Sequence, residues 1–128
     1  MIRRLTADLA LPIEVIGCAT VRDVDGLALS SRNSYLTREQ RAVAPALYRA
    51  LHQGWAAIEH DHERDPARVE TMMRDLITAE ERFLLDYAVV RDGDDLSPLT
   101  TITGEVRLLV AARLGRARLI DNLGAKAT

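Results

Sequence analysis

Val106-Arg-Leu-Leu-Val-Ala-Ala-Arg-Leu114, followed at once by Gly115-Arg-Ala-Arg-Leu-Ile-Asp-Asn122, carries the hydrophobic period that decides the fold. Val106, Leu108, Val110, Ala112 and Leu114 alternate with Arg107, Leu109, Ala111 and Arg113, the spacing of a strand with one buried face. Gly115 permits a reversal, so Ala117 to Asn122 is expected to return as a neighbouring strand. Upstream, Leu84-Leu-Asp-Tyr-Ala-Val-Val-Arg91 has the β-branched and aromatic content of a third strand and stops at Asp92-Gly-Asp-Asp95.

The helical layer lies between residues 37 and 80. Thr37-Arg-Glu-Gln40 fits a capping box, with Thr37 as N-cap and Gln40 three positions later. Val43, Leu47, Leu51, Trp55 and Ile58 then recur near the helical period, and Pro45 is expected to bend the first turn. A charged link, His60-Asp-His-Glu-Arg-Asp65, precedes a second helix with Asp65 as N-cap and Pro66 at its first position. Val69, Met72, Met73, Leu76 and Ile77 form its expected buried face, which fades around Glu80. Three strands and two helices define a two-layer α+β domain with a three-stranded antiparallel sheet, from about Leu27 to Asn122.

The opening residues follow a different pattern. Ile2, Leu5 and Leu9 share a helical stripe that Pro12 limits, and Ile13-Glu-Val-Ile16 reads as a short strand closed by Gly17. A helix-strand unit of this kind belongs to a parallel sheet covered on both faces. Standing alone, its strand exposes unpaired edges that pair with another chain, so a homodimer is an expectation.

At 128 residues with 48% hydrophobic and 28% charged composition, the chain has the size and make-up of one globular domain. A net charge of −2 lacks the basic footprint of a nucleic-acid or membrane-surface binder. Cys18 has no second cysteine to pair with, and is expected as a buried reduced thiol. No apolar run reaches membrane-spanning length and the first residues lack the apolar centre of a signal peptide, so a cytoplasmic location is expected. No internal repeat is present.

Chemistry concentrates in Asp25-Gly-Leu-Ala-Leu-Ser-Ser-Arg-Asn33. Asp25-Gly26 signals a tight reversal. The residues after it admit two readings. Ser30, Ser31 and Arg32 either donate to the oxygens of a phosphate, with the planar fork of Arg32 as the strongest contact, or form a capped turn whose arginine faces solvent. His60 and His62 lack a convergent third metal ligand and read as part of a hydrated link, and no metal site is expected. Met72 and Met73 read as core filler. Asp121 and Asn122 either reach a ligand or close a turn on their own backbone. None of the self-contained motifs, Gly-x-x-x-x-Gly-Lys, Gly-x-Ser-x-Gly or His-Glu-x-x-His, occurs.

Taken in order, Thr20-Val-Arg-Asp-Val-Asp-Gly-Leu-Ala-Leu-Ser-Ser-Arg-Asn-Ser-Tyr-Leu36, Leu108-Leu-Val-Ala-Ala-Arg-Leu-Gly115 and Arg118-Leu-Ile-Asp-Asn122 resemble the C-terminal part of the pantoate:beta-alanine ligase family. The resemblance spans nearly the whole chain and selects the phosphate reading of the serine-arginine loop. It implies a cytoplasmic enzyme of the nucleotidyl-transferase superfamily that activates pantoate with ATP and Mg²⁺. Pantoyl adenylate and pyrophosphate form first; beta-alanine then displaces AMP to give pantothenate.

The resemblance also divides the chain. Residues 1–18 correspond to the tail of a Rossmann-like N-terminal domain and the hinge, and residues 19–128 to a smaller domain that closes over ATP as a lid. Carried over position by position, Val21 touches adenine through its backbone with Thr20 beside it. Leu29, Ser30, Ser31 and Arg32 occupy the place of the superfamily's Lys-Met-Ser-Lys-Ser loop, and Arg32 is the catalytic contact. The N-terminal domain with its His-x-Gly-His motif has no counterpart here, and Ala19 stands where proline is common. The chain alone is therefore expected not to make pantothenate. The competing expectation is a stand-alone oligomerising interaction module that keeps the fold without the chemistry.

Overall fold

The computed structural model describes residues 2–128. Strands β1 (Phe83–Asp92), β2 (Glu105–Leu114) and β3 (Ala117–Lys126) form one antiparallel sheet in the order β1-β2-β3. The alternation that defined β2 has its expected result: Val106, Leu108, Val110, Ala112 and Leu114 are all buried. Their cross-strand partners Ala125, Leu123, Asp121, Leu119 and Ala117 fix which face of β3 meets the core. Gly115 takes φ of 59°, the left-handed turn conformation that its lack of Cβ makes accessible. β3 continues four residues past Asn122 because Ala125 resumes the buried register after Gly124.

Two helices cover that face. α3 (Ala46–Glu59) buries Leu47, Ala50, Leu51, Gly54 and Ile58, and α4 (Pro66–Thr78) buries Val69, Met73 and Ile77. Met72 and Leu76, expected on the buried face of α4, are only partly covered. Asp65 caps α4 by accepting from Ala67 N at 2.9 Å, with Pro66 at its first position. The capping box at Thr37 and Gln40 also forms, but the helix it starts is short. α2 (Arg38–Val43) is closed by Ala44 at its C-cap, and Pro45 stands at the N-cap of α3. Without an N–H to continue the ladder, Pro45 splits the expected helix in two.

The first helix, α1 (Ile2–Asp8), forms where its apolar stripe predicted and buries none of its residues. Residues 13–16 correct the expectation of a strand: they have no ladder among the described residues. A strand is defined by a hydrogen-bonded neighbour, and none of the described strands lies beside this stretch. Cys18 is likewise exposed instead of buried, since it sits in this uncovered approach to the domain.

Candidate functional site

After the approach segment the chain makes a small hairpin whose ends meet through an Arg22 to Ala28 bridge. Asp23 N donates to Leu27 O at 2.8 Å, and Leu29 N to Val21 O at 3.0 Å. Gly26 turns it with φ of 90°, and a Cβ there would stand 2.0 Å from Cδ1 of Tyr48. Glycine is thus required both by conformation and by the close approach of α3.

Two arginines, Arg22 and Arg41, fasten this hairpin to the domain. Arg22 reaches across the fold to Asp121 in a bidentate pair, Nη1 to Oδ2 at 2.5 Å and Nη2 to Oδ1 at 2.9 Å. Asp121 lies on the core-facing side of β3 with its side chain 5% exposed, so its charge needs this partner. Arg22 also donates to Gly26 O at 3.0 Å and stacks 4.3 Å from the centre of the Tyr48 ring. From α2, Arg41 spreads its fork over Asp25 (2.6 Å) and Asp23 (2.7 Å). The hydrogen bond from Arg41 holds the Asp25 carboxyl below the usual aspartate range and, reciprocally, keeps Arg41 more firmly protonated.

The loop that leaves this clamped hairpin is a 3-10 helix, Ser31–Tyr35. Ser30 caps it, accepting from Arg32 N at 3.2 Å, and Asn33 Nδ2 returns to Ala28 O at 3.1 Å. Arg32 is exposed and makes no ion pair with any described carboxylate. Asn33 Oδ1 is buried and has no hydrogen-bond partner among the described residues.

Between this loop and the edge strand β3 lies a cavity of about 320 Å³. Of the residues singled out in the sequence, Thr20, Leu29, Ser30 and Arg32 line it, whereas Val21 and Ser31 do not. Asp121 and Asn122 line its strand side. Ser30 forms the capped turn of the second alternative, and the same turn brings Arg32 to the cavity. The cavity reaches the outer face of the sheet at Tyr87, Leu109 and Ile120. Arg118 also lines the cavity, and sequence reasoning missed both it and Arg22. The signal for Arg22 was a basic residue shortly before the Asp-Gly turn and an acidic one on the core-facing period of β3.

The histidines of the link do not join this site. His60 packs edge-on against Trp55 at 4.9 Å, and no group of three or more His, Cys, Asp or Glu among the described residues is placed to hold a metal ion. No helix among them is long and apolar enough to cross a membrane.

The α+β domain thus carries a clamped hairpin that brings Arg32, without an ion-pair partner among the described residues, to an edge cavity. Comparison with known proteins gives its class. Residues 1–124 match the family described as Pantoate-beta-alanine ligase, and the chain belongs to that family. It is 49% identical over 123 residues to the pantothenate synthetase of Moorella thermoacetica, covering 96% of this chain and 43% of the relative. The pantothenate synthetase of Pseudomonas fluorescens strain SBW25 is 52% identical over 124 residues, with 96% and 43% covered. The crystal structure of pantothenate synthetase from Thermus thermophilus superposes with a TM-score of 0.86 at 41% identity, over 95% of this chain and 44% of that one. The chain thus spans less than half the length of the relatives it matches.

Proposed function

We propose that residues 19–128 are the nucleotide-covering lid of a pantoate:beta-alanine ligase, and that residues 1–18 end the preceding domain and form the hinge. The observation that carries this reading is the convergence of Thr20, Leu29, Ser30 and Arg32 on one cavity, in a chain whose family is named for the ligase. In the reaction so assigned, a carboxylate oxygen of pantoate attacks the α-phosphate of ATP and pyrophosphate departs. The amine of beta-alanine then attacks the carbonyl of the pantoyl adenylate, and AMP leaves. Negative charge grows on the phosphates during the first step, and a guanidinium already pointing there stabilises that state more than the ground state. Val21 backbone and Thr20 lie at the adenine end, and Ser31 completes the phosphate loop.

Mg²⁺ enters this reading as the ion that accompanies the nucleotide. Pantoate and beta-alanine are assigned to the portion of the relatives that this chain does not span. Three measurements test the reading. Titrated with ATP, the chain binds weakly and Arg32→Ala abolishes the binding; ATP, pantoate and beta-alanine together yield no AMP. In a full-length relative, replacing the counterpart of Arg32 with alanine lowers kcat by about two powers of ten. ATP binding that ignores Arg32, or turnover by the chain alone, overturns the assignment.

The exposed apolar side chains Ile2, Leu5, Leu9, Ile13 and Ile16 favour a second reading, a self-associating module. A sedimentation profile of a clean monomer at micromolar concentration removes it.

A further inference from the structure

Arg118 stands on β3 with its Cβ on the outer face of the sheet, in register with Arg113 of β2 and Leu84 of β1. Beside it, β1 carries an irregularity: Leu85 pairs with Ala112 and Tyr87 with Ala111, so Asp86 has no ladder partner. A bulge of this kind re-aims the side chain of its extra residue. Here the Asp86 carboxylate meets Arg118 Nε at 2.6 Å, with Arg113 at 4.0 Å on its other oxygen. Among the described residues this is the one hydrogen bond of the Arg118 side chain to a carboxylate, made through Nε, and the Tyr87 hydroxyl is the other polar group close to its fork. The side chain is 48% exposed, and Arg118 lines the same cavity as Arg32.

We propose that Arg118 is a second anion contact of this cavity, meeting the outer phosphates of a nucleoside triphosphate, or the pyrophosphate cleaved from it, from the sheet side while Arg32 meets them from the loop. The inference rests on the nucleotide reading above and adds a residue to it. Binding by Nε alone is what makes the geometry useful. A guanidinium tethered through Nε keeps its two Nη groups side by side, the bidentate arrangement that suits a phosphate, and has already lost the rotamer freedom that binding would otherwise cost. Asp86 is then a positioning residue, acting only through Arg118. Lysine at 118 keeps the charge but not the fork.

The test follows side-chain Nε–Hε and backbone amide signals of the chain by NMR during titration with inorganic tripolyphosphate, pyrophosphate, ATP and AMP. The expected result is that tripolyphosphate and ATP shift Arg118 Nε–Hε together with the Ser31 and Arg32 amides, whereas AMP leaves Arg118 unmoved. A pyrophosphate response as large as that of tripolyphosphate identifies the product as the ligand of Arg118. Arg118→Ala and Arg118→Lys each weaken tripolyphosphate binding by about tenfold, the loss of one charge-assisted bidentate contact. Asp86→Asn produces a smaller loss with the circular dichroism spectrum unchanged. Shifts at Ser31 and Arg32 with Arg118 silent overturn this inference and leave the nucleotide reading standing. Silence at all three positions overturns both, and full retention of affinity in Arg118→Lys overturns the bidentate geometry.

Discussion

At the scale of single residues, opposite charges placed far apart in sequence hold the site together. The Arg41 fork over Asp23 and Asp25 can be read through pH. Asp25 has its pKa lowered by the hydrogen bond from Arg41. A carboxyl depressed in the folded state adds stability above its unfolded value, here 3.8, and loses it as pH falls through the lower folded value. Stability of the wild type should therefore decline below about pH 4. In Arg41→Ala this part of the decline should vanish: denaturant unfolding separates the variant from wild type at pH 7, and the gap closes as pH falls through the lowered folded value of Asp25. A difference that persists unchanged at low pH assigns the role of Arg41 to packing. Little of this was legible in the letters. Asp25-Gly26 announced the turn, but nothing in Arg41 or Arg22 named its acidic partner. Asp121, for which a ligand and a local turn were the alternatives, instead takes Arg22 from 99 positions away. Pairing across that separation depends on the fold and has no local signature.

Among the elements, the sheet was the more legible because its period is short and Gly115 marks its turn. β2 follows its alternation residue by residue. The bulge at Asp86 was not legible, since Leu84-Leu-Asp-Tyr87 carries apolar residues on both parities and so does not fix a register. Pro45 was recognised as a disturbance, but whether a proline bends or divides a helix depends on what the next turn packs against. Gly54 makes a comparable point about packing. It lies inside α3, where alanine is favoured by about 1 kcal/mol in helix propensity. A Cβ there would meet Leu108 Cδ2 at 2.7 Å and Met73 Sδ at 3.1 Å, and both neighbours are fully buried. Overpacking of this kind costs about 1–3 kcal/mol. Gly54→Ala should then destabilise by about 1 kcal/mol net, despite the better helix former. A gain in the unfolding midpoint shows instead that Leu108 and Met73 yield at no cost.

For the whole molecule, the question is where the independently folded unit begins. Residues 2–8 bury no side chain, and the backbone hydrogen bonds of residues 9–13 run only to residues 5–11. The first residue tied firmly into the domain is Arg22, whose guanidinium is bonded to Asp121, Gly26 and Asn122. The ion pair within α1, Arg4 with Asp8, is exposed on both sides and contributes little. Deleting residues 1–18 should therefore leave the thermal midpoint within about 2 °C of the full chain and preserve a single cooperative transition. It also removes Ile2, Leu5, Leu9, Leu11, Ile13 and Ile16, all exposed apolar residues. If those residues drive association, the full chain sediments as a dimer and the shortened one as a monomer. A midpoint lowered by more than about 5 °C places the domain boundary upstream of residue 19. In that case the approach segment helps to hold the domain together, and the Arg22 and Arg41 contacts are not the only anchors of the loop that presents Arg32.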